Sequence, residues 1–412
     1  MISVKGLDRI EGHAHIKIVE NPETGSEECR IIVDEGIRFF EAFLTEVPLM
    51  EAPVIASRIC GLCSASYSVC LSKAIEKALG YTIDYEAESY REAVQMISTA
   101  RSHIAHVFLL WLPDILGVKS AFDVAEVSPE AFKVAANLIV EMTKAHEYLT
   151  GGEIHPVNMT VGGFTKLPRE NVAKAAESLK NSVKQAEILI EKLSEILYKI
   201  PKLEIKLPYV SIGNEEKYSL INGPIKIDGV KAAETAKDLI EERPVSYSTA
   251  KRCTINGSAY VVGALSRLNN NPNSISSEAK SHLETLDIKE GDRNPFKIPL
   301  AQAVETVHLL QHVKTVLEEV EPPRPPEEIK LKAGEGEATI EAPRGILHIN
   351  LTLSEKGRIK EINIIPPTTQ NLLHMEYSAT KYLAENPNHP QKAKMIEVLI
   401  RSYDPCISCS VQ

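Results

Sequence analysis

Two Cys-x-x-Cys pairs stand near opposite ends of this sequence, Cys60 with Cys63 and Cys406 with Cys409, and 343 residues separate Cys63 from Cys406. Thiolate is a soft donor that selects zinc, iron–sulfur clusters or nickel over magnesium or calcium. If the pairs meet at one metal, the whole intervening chain must fold so that its two ends close on a single point. Zinc ribbons place their pairs about 15–20 residues apart, so the spacing here is unusual for a structural zinc. Spacing alone leaves zinc, an iron–sulfur cluster and a rarer soft metal open. The remaining cysteines, Cys29, Cys70 and Cys253, stand singly and read as small buried hydrophobes. Seven is an odd count and fits a reducing compartment better than a disulfide framework.

At 412 residues the chain has the mass of roughly two to three ordinary domains, or of one multi-layer domain. Hydrophobic residues make up 43%, enough for a large core. The 56 acidic against 46 basic residues give a net charge of −10, which argues against a nucleic-acid footprint. No apolar run approaches the roughly 20 residues of a transmembrane helix. The opening MISVKGLDRIEGHAHI lacks the apolar stretch of a signal peptide, so the expected compartment is the cytoplasm.

Along residues 1–45 apolar and polar residues alternate as in strands, with His13, His15 and Lys17 opposite Ala14, Ile16 and Ile18. From about residue 52 to 149 the periodicity is helical, and 171–200 reads as one long helix stopped by Pro201. Short strands are expected in 203–228, and helices near 229–240, 276–286 and 298–320. The Pro-rich run EPPRPPEE at 321–328 is a spacer. Strands at 337–341, 346–353 and 362–365 follow it, then helices near 371–384 and 391–402. The class is α+β, dominated by helices with small peripheral sheets. It reads as one domain over 1–412, with a β-rich start (1–47), a helical body (48–320) and a closing β hairpin with C-terminal helices (329–412).

The residues flanking the cysteines narrow the choice of metal. Arg58-Ile-Cys-Gly-Leu-Cys63 and Asp404-Pro-Cys-Ile-Ser-Cys409 resemble the two metal-binding signatures of [NiFe]-hydrogenase large subunits. Arg9-Ile-Glu-Gly-His13, Gly36-Ile-Arg-Phe-Phe-Glu41, the glycine-bracketed loop at 151–163, Glu341-Ala-Pro-Arg-Gly345 and Pro366-Pro-Thr-Thr-Gln-Asn371 follow in that family's order. The resemblance runs nearly end to end.

It implies that Cys60 and Cys406 bind nickel alone, while Cys63 and Cys409 bridge nickel to an iron carrying CO and two cyanides. Arg344 would stand over the position where hydrogen binds, as a donor that cannot lose its proton, and Asp404 would pair with it. Pro343 would line the pocket of the diatomic ligands, and Thr368 would donate its hydroxyl to a cyanide. Glu11 is the implied first proton relay, with the Cys406 thiolate as the nearest base. Glu41, the Ile364 carbonyl and Gln412 are the implied magnesium ligands. His13 and His103 read as packing or hydrogen-bonding residues.

Three positions depart from the family's commoner pattern. Tyr67 and Gln412 stand where histidine is usual, and Ser102 where the respiratory enzymes carry aspartate. Family precursors are cut just after the residue matching Gln412, so this is either a matured chain or a gene that stops there.

No Cys-x-x-Cys-x-x-Cys run remains to hold a cluster. Electrons are therefore expected to leave through a separate iron–sulfur small subunit, with further flavin, NAD(P) or ferredoxin-type subunits beyond it. The only Gly-x-Gly, Gly334-Glu-Gly336, lacks the third glycine and following helix of a dinucleotide site. The implied activity is H2 ⇌ 2H+ + 2e−. The rival readings are a membrane-complex relative on an ion-pumping arm, a complex I type scaffold and a zinc-stapled structural protein.

Overall fold

The computed structural model describes residues 2–4, 6–20, 25–214 and 217–412; expectations touching residues 1, 5, 21–24 and 215–216 lie outside them. Long helices form the body, chiefly Ser64–Leu79, Tyr85–Ala105, Pro129–Thr150, Ile298–Glu319 and Pro367–Glu385. Small antiparallel sheets sit around them. One cluster of buried apolar side chains runs from Leu7 to Val411, so residues from both ends share a core. Among the described residues no helix is long and apolar enough to cross a membrane.

The alternation at the N-terminus produces strands as far as Val33, while Phe40–Leu44, inside the stretch read as strands, is a short helix. Strands Ile2–Val4, Ala14–Glu20 and Glu27–Val33 form a three-stranded sheet, with Ala14, Ile16 and Ile18 turned inward. The second sheet, Gly334–Ala342, Gly345–Leu353 and Ile359–Ile365, covers the expected strands after the spacer. Here the Gly-x-Gly finds its purpose. A Cβ on Gly334 or Gly336 would lie 2.0 Å from the carbonyl oxygen of Ala78 or Ala74, so the strand can press against the helix Ser64–Leu79 only without side chains at those positions.

Two expectations fail for local reasons. The single helix over 171–200 is two, Arg169–Ser178 and Ser182–Ser194, followed by a 3-10 turn at Leu197–Lys199. Between them Ser182 turns its amide (3.0 Å) and hydroxyl (2.7 Å) onto the Leu179 carbonyl, replacing the i→i−4 ladder. The helix expected at 229–240 is instead the strand Val230–Ala233, paired with Ile225–Ile227. Asp228 (φ 48°) and Gly229 (φ 82°) are both left-handed, as a two-residue hairpin turn requires. The stretch from 52 to 149 is helical as expected, with a π-helical segment at His106–Trp111. Pro113 follows that segment and has no N–H to return to the preceding turn.

Deep in this body Arg267 bridges two carboxylates. Its Nε and Nη2 meet Glu305 at 2.6 Å each, and its Nη1 meets Glu341 at 2.8 Å. The same guanidinium reaches the carbonyls of Ala342 (3.2 Å) and Pro343 (3.3 Å), which pins the turn that carries Arg344. Arg267, Glu305 and Glu341 are all fully buried. Arg267→Met should therefore strand two buried carboxylates and destabilise the chain by about 3–5 kcal/mol. A chemical-denaturation midpoint matching wild type would contradict that role.

Candidate metal centre

Each pair of cysteines is delivered by a different kind of local structure. The 3-10 turn Ser57–Ile59 hands the chain to Cys60 in extended conformation, φ −151° and ψ 137°. Cys63 then sits at the N-cap of the helix Ser64–Leu79, where unpaired backbone N–H groups and the helix dipole favour negative charge. The loop at 151–163 buttresses this corner: His155 Nδ1 bonds the Ser57 carbonyl at 2.9 Å, and the Ser64 hydroxyl bonds that of Ile154. At the other end the helix Lys392–Ser402 stops, and Asp404 takes a left-handed turn (φ 55°) into Pro405 and Cys406. Cys406 pairs with Glu11 of the N-terminal segment, Ile407 N–H donating to the Glu11 carbonyl at 2.9 Å.

The four sulfurs come together, all buried and all within 4.8 Å of one another. Adjacent separations are 3.5 Å for Cys60–Cys63, 3.8 Å for Cys63–Cys409, 2.8 Å for Cys409–Cys406 and 3.3 Å for Cys406–Cys60. Hydrogen bonds from the other three thiols hold the Cys60 thiol well below its ordinary range, against burial. Burial pushes Cys406 and Cys409 up. Thiolate is the ligand form, so binding of a metal here would release the thiol protons. An all-sulfur donor set of this kind suits a soft metal and no alkaline-earth ion.

Arg344 reaches this cluster from an unusual place. It lies in the two-residue turn between Gly334–Ala342 and Gly345–Leu353, where Ala342 pairs with Gly345, and this hairpin tip is buried rather than solvated. Its Nη1 stands 3.4 Å from Cys63 Sγ and 3.4 Å from the Ser102 hydroxyl. Its Nη2 bonds Asp404 Oδ1 at 2.7 Å and its Nε the Asp404 carbonyl at 2.5 Å. Burial opposes the charge on Arg344, but Asp404 and the thiolates outweigh it and keep the guanidinium protonated. Pro343 shares the same turn, its carbonyl held by Arg267.

Glu11 is half-buried against the second pair. Its Oε2 accepts from the Cys406 thiol at 3.1 Å and from Ser408 N–H at 3.1 Å, and its Oε1 from the Ser408 hydroxyl at 2.5 Å. Thr368 accepts the Cys406 N–H on its hydroxyl oxygen at 3.0 Å, which leaves its own proton to donate. Glu41 Oε1 accepts Ile364 N–H at 2.8 Å, so Glu41 meets the amide of that residue rather than its carbonyl. Gln412 donates to the carbonyls of Ser408 (2.7 Å) and Cys409 (2.9 Å), and its buried Oε1 has no protein partner among the described residues. An unpartnered amide oxygen of this kind fits a hard cation.

His13 is exposed and touches Glu35; His103 is buried on Glu305. Neither joins the cluster. Ser408 and Arg267 escape a sequence reading. Ser408 carried one available signal, its place inside the second cysteine pair, and Arg267 carried none.

The family model for nickel-dependent hydrogenase matches residues 38–149 and 228–412. The alpha subunit of sulfhydrogenase 1 of Pyrococcus furiosus is 34% identical, across 100% of this chain and 97% of its own length. The matching subunit of the F420-non-reducing hydrogenase of Methanothermobacter marburgensis is 30% identical, over 99% of this chain and 94% of its own. Among solved structures, an NAD+-reducing [NiFe]-hydrogenase in its H2-reduced state superposes with a TM-score of 0.88 at 22% identity, covering 100% of this chain and 99% of that one. The Ni-Fe-Se hydrogenase of Desulfomicrobium baculatum superposes with a TM-score of 0.82 at 21% identity, covering 100% of both chains. At such identities the likeness speaks for the fold, while the curated relatives speak for descent. Agreement of that extent over the whole length makes this chain a member of the nickel-dependent hydrogenase family, one of its catalytic large subunits.

Proposed function

We propose that this chain, acting as one domain in the cytoplasm, performs H2 ⇌ 2H+ + 2e− and passes its electrons to an iron–sulfur small subunit. The observation that carries the reading is four buried thiols within 4.8 Å, with a guanidinium 3.4 Å from one of them. Cys60, Cys63, Cys406 and Cys409 would hold a nickel–iron group whose iron carries CO and two cyanides. When bound, that group supplies the place where hydrogen is split and its electrons are taken up.

The chain's own residues supply the surroundings. Arg344 presents a fixed positive charge and N–H donors over the thiolates, and cannot act as a base. Asp404 fixes its orientation through two contacts. Thr368 has its proton free for a cyanide, and Pro343 gives the pocket an apolar wall. Splitting hydrogen leaves a proton to be removed. Cys406 and Glu11 are already within hydrogen-bond distance, so a proton on the Cys406 sulfur can pass to the Glu11 carboxylate. Glu41, the Ile364 carbonyl and the Gln412 side-chain oxygen are the proposed magnesium ligands. Both curated relatives are named as single subunits of their enzymes. That supports assembly with other subunits, among them electron-transfer subunits of the flavin, NAD(P) or ferredoxin type.

Four outcomes are expected. Cys60→Ser or Cys409→Ser should abolish nickel retention and hydrogen turnover together, because alkoxide is a poor soft-metal ligand; elemental analysis finding full nickel in either would sink the assignment. Infrared spectra of the wild type should also show CO and cyanide stretches. Glu11→Gln keeps shape and hydrogen bonds but carries no proton, so metal content should persist while turnover falls about a hundredfold or more. Near-normal H2 oxidation in that variant would mean another relay operates. Finally, an iron–sulfur subunit should co-purify one-to-one at high salt, through a contact of about 2,000 Å² or more. A lone chain that reduces a large redox protein with hydrogen would refute the partner.

A further inference from the structure

Arg344 engages one oxygen of the Asp404 carboxylate and its main-chain carbonyl. The second carboxylate oxygen, Oδ2, meets a different group: Gln302 Nε2, at 3.4 Å. Gln302 lies on the helix Ile298–Glu319 and is buried. Its amide oxygen faces His106 Nδ1 at 2.6 Å, and His106 Nε2 faces the Arg401 carbonyl at 2.8 Å.

These contacts constrain one another. A carbonyl only accepts, so His106 Nε2 carries a hydrogen. Asp404 Oδ2 accepts, so the amide group facing it is the NH2 and the Gln302 oxygen is turned toward His106 Nδ1. Reversing the amide would set its oxygen against Asp404 Oδ2, two buried acceptors with no hydrogen between them. Asp404 therefore selects the amide orientation, and Gln302 is the donor on its second oxygen. His106 opens the π-helical segment His106–Trp111, a widening of the helix that recurs at functional sites. Of the charged groups on the elements around the ring, Arg401 and Arg9 pair with Asp114, and His103 and Arg267 meet Glu305.

We propose that Gln302, packed between His106 and Asp404, is a positioning residue that holds the Asp404 carboxylate and, through it, the Arg344 guanidinium over the four cysteine sulfurs. It touches neither metal nor hydrogen. The proposal rests on the role given to Arg344 above.

The test compares Gln302→Glu and Gln302→Leu in the assembled complex, reading nickel and iron content, the CO and cyanide bands and the pH profile of H2 oxidation. Both variants should keep their metals, lose about 10- to 100-fold in turnover and show displaced cyanide bands. In Gln302→Glu the activity should recover toward low pH, where the introduced carboxyl gains a proton and again donates to Asp404. Gln302→Leu should show no such recovery. Should the leucine variant fail to assemble, the near-isosteric glutamate variant decides alone. Wild-type bands and pH profile in Gln302→Glu would overturn the proposal, as would its loss of nickel, which would make Gln302 a folding residue. A wild-type enzyme without CO and cyanide bands would instead count against the nickel–iron reading itself.

Discussion

A positive charge held beside thiolates in a dry interior is the constraint to which most of this structure answers. Arg344 and Asp404 have side-chain exposures of 1% and 2%. Removing two such charges from water costs several kcal/mol per ion, and their attraction offsets this only when geometry and extra hydrogen bonds are good. The surrounding residues supply both. The hairpin tip is pinned by Arg267, Asn371 Nδ2 bonds the Arg344 carbonyl at 3.3 Å, and Asp404 takes a left-handed conformation that turns its carbonyl and carboxylate toward the same guanidinium. A left-handed aspartate is a modest strain. It is kept where the surrounding contacts over-determine it.

The second constraint is topological. Two pairs of ligands separated by 343 residues must meet, and the entropic cost of closing a loop rises only slowly with its length. The harder requirement is register, because sulfur positions matter to tenths of an ångström. The chain fixes register by tying its ends to each other before the metal is considered. Glu11 pairs with Cys406, Arg401 bonds the Asp8 carbonyl at 2.7 and 2.9 Å, and Asp114 links Arg9 to Arg401. Arg38 completes the closure, its N–H on the Val411 carbonyl and its guanidinium on those of Ile59 and Ser408. These ties bring the two cysteine pairs together, their sulfurs within 4.8 Å of one another.

What was legible in the sequence follows from the range of the forces involved. The sheet at the start and the strands after the Pro-rich spacer were readable because burial on one face imposes a period of two. The cysteine pairs were readable because their flanks are local. The strand Val230–Ala233 was hidden although Asp228-Gly229 is a strong hairpin signal, since this short, exposed Val-Lys-Ala-Ala run lacks the extended alternation that marks a half-buried strand. Gln302 and Arg267 were invisible for another reason. Each shares its helix with other polar residues, and only tertiary packing reveals which buried partner it meets.

Two of the departures from the family's commoner residues have a common physical character. Tyr67 and Gln412 each carry a buried polar atom without a protein partner among the described residues, the phenol oxygen and the amide oxygen. Such atoms cost about 1–3 kcal/mol if they stay unsatisfied. Their chemistry differs in a way that suits their surroundings. Burial, and after it the four cysteine sulfurs, push the Tyr67 phenol well above its ordinary range, so it stays protonated and keeps a hydrogen to offer. Gln412 spends both amide hydrogens on the Ser408 and Cys409 carbonyls and has only an acceptor left. Beside the cysteines the chain thus sets one buried group with a hydrogen to give and one that can only accept.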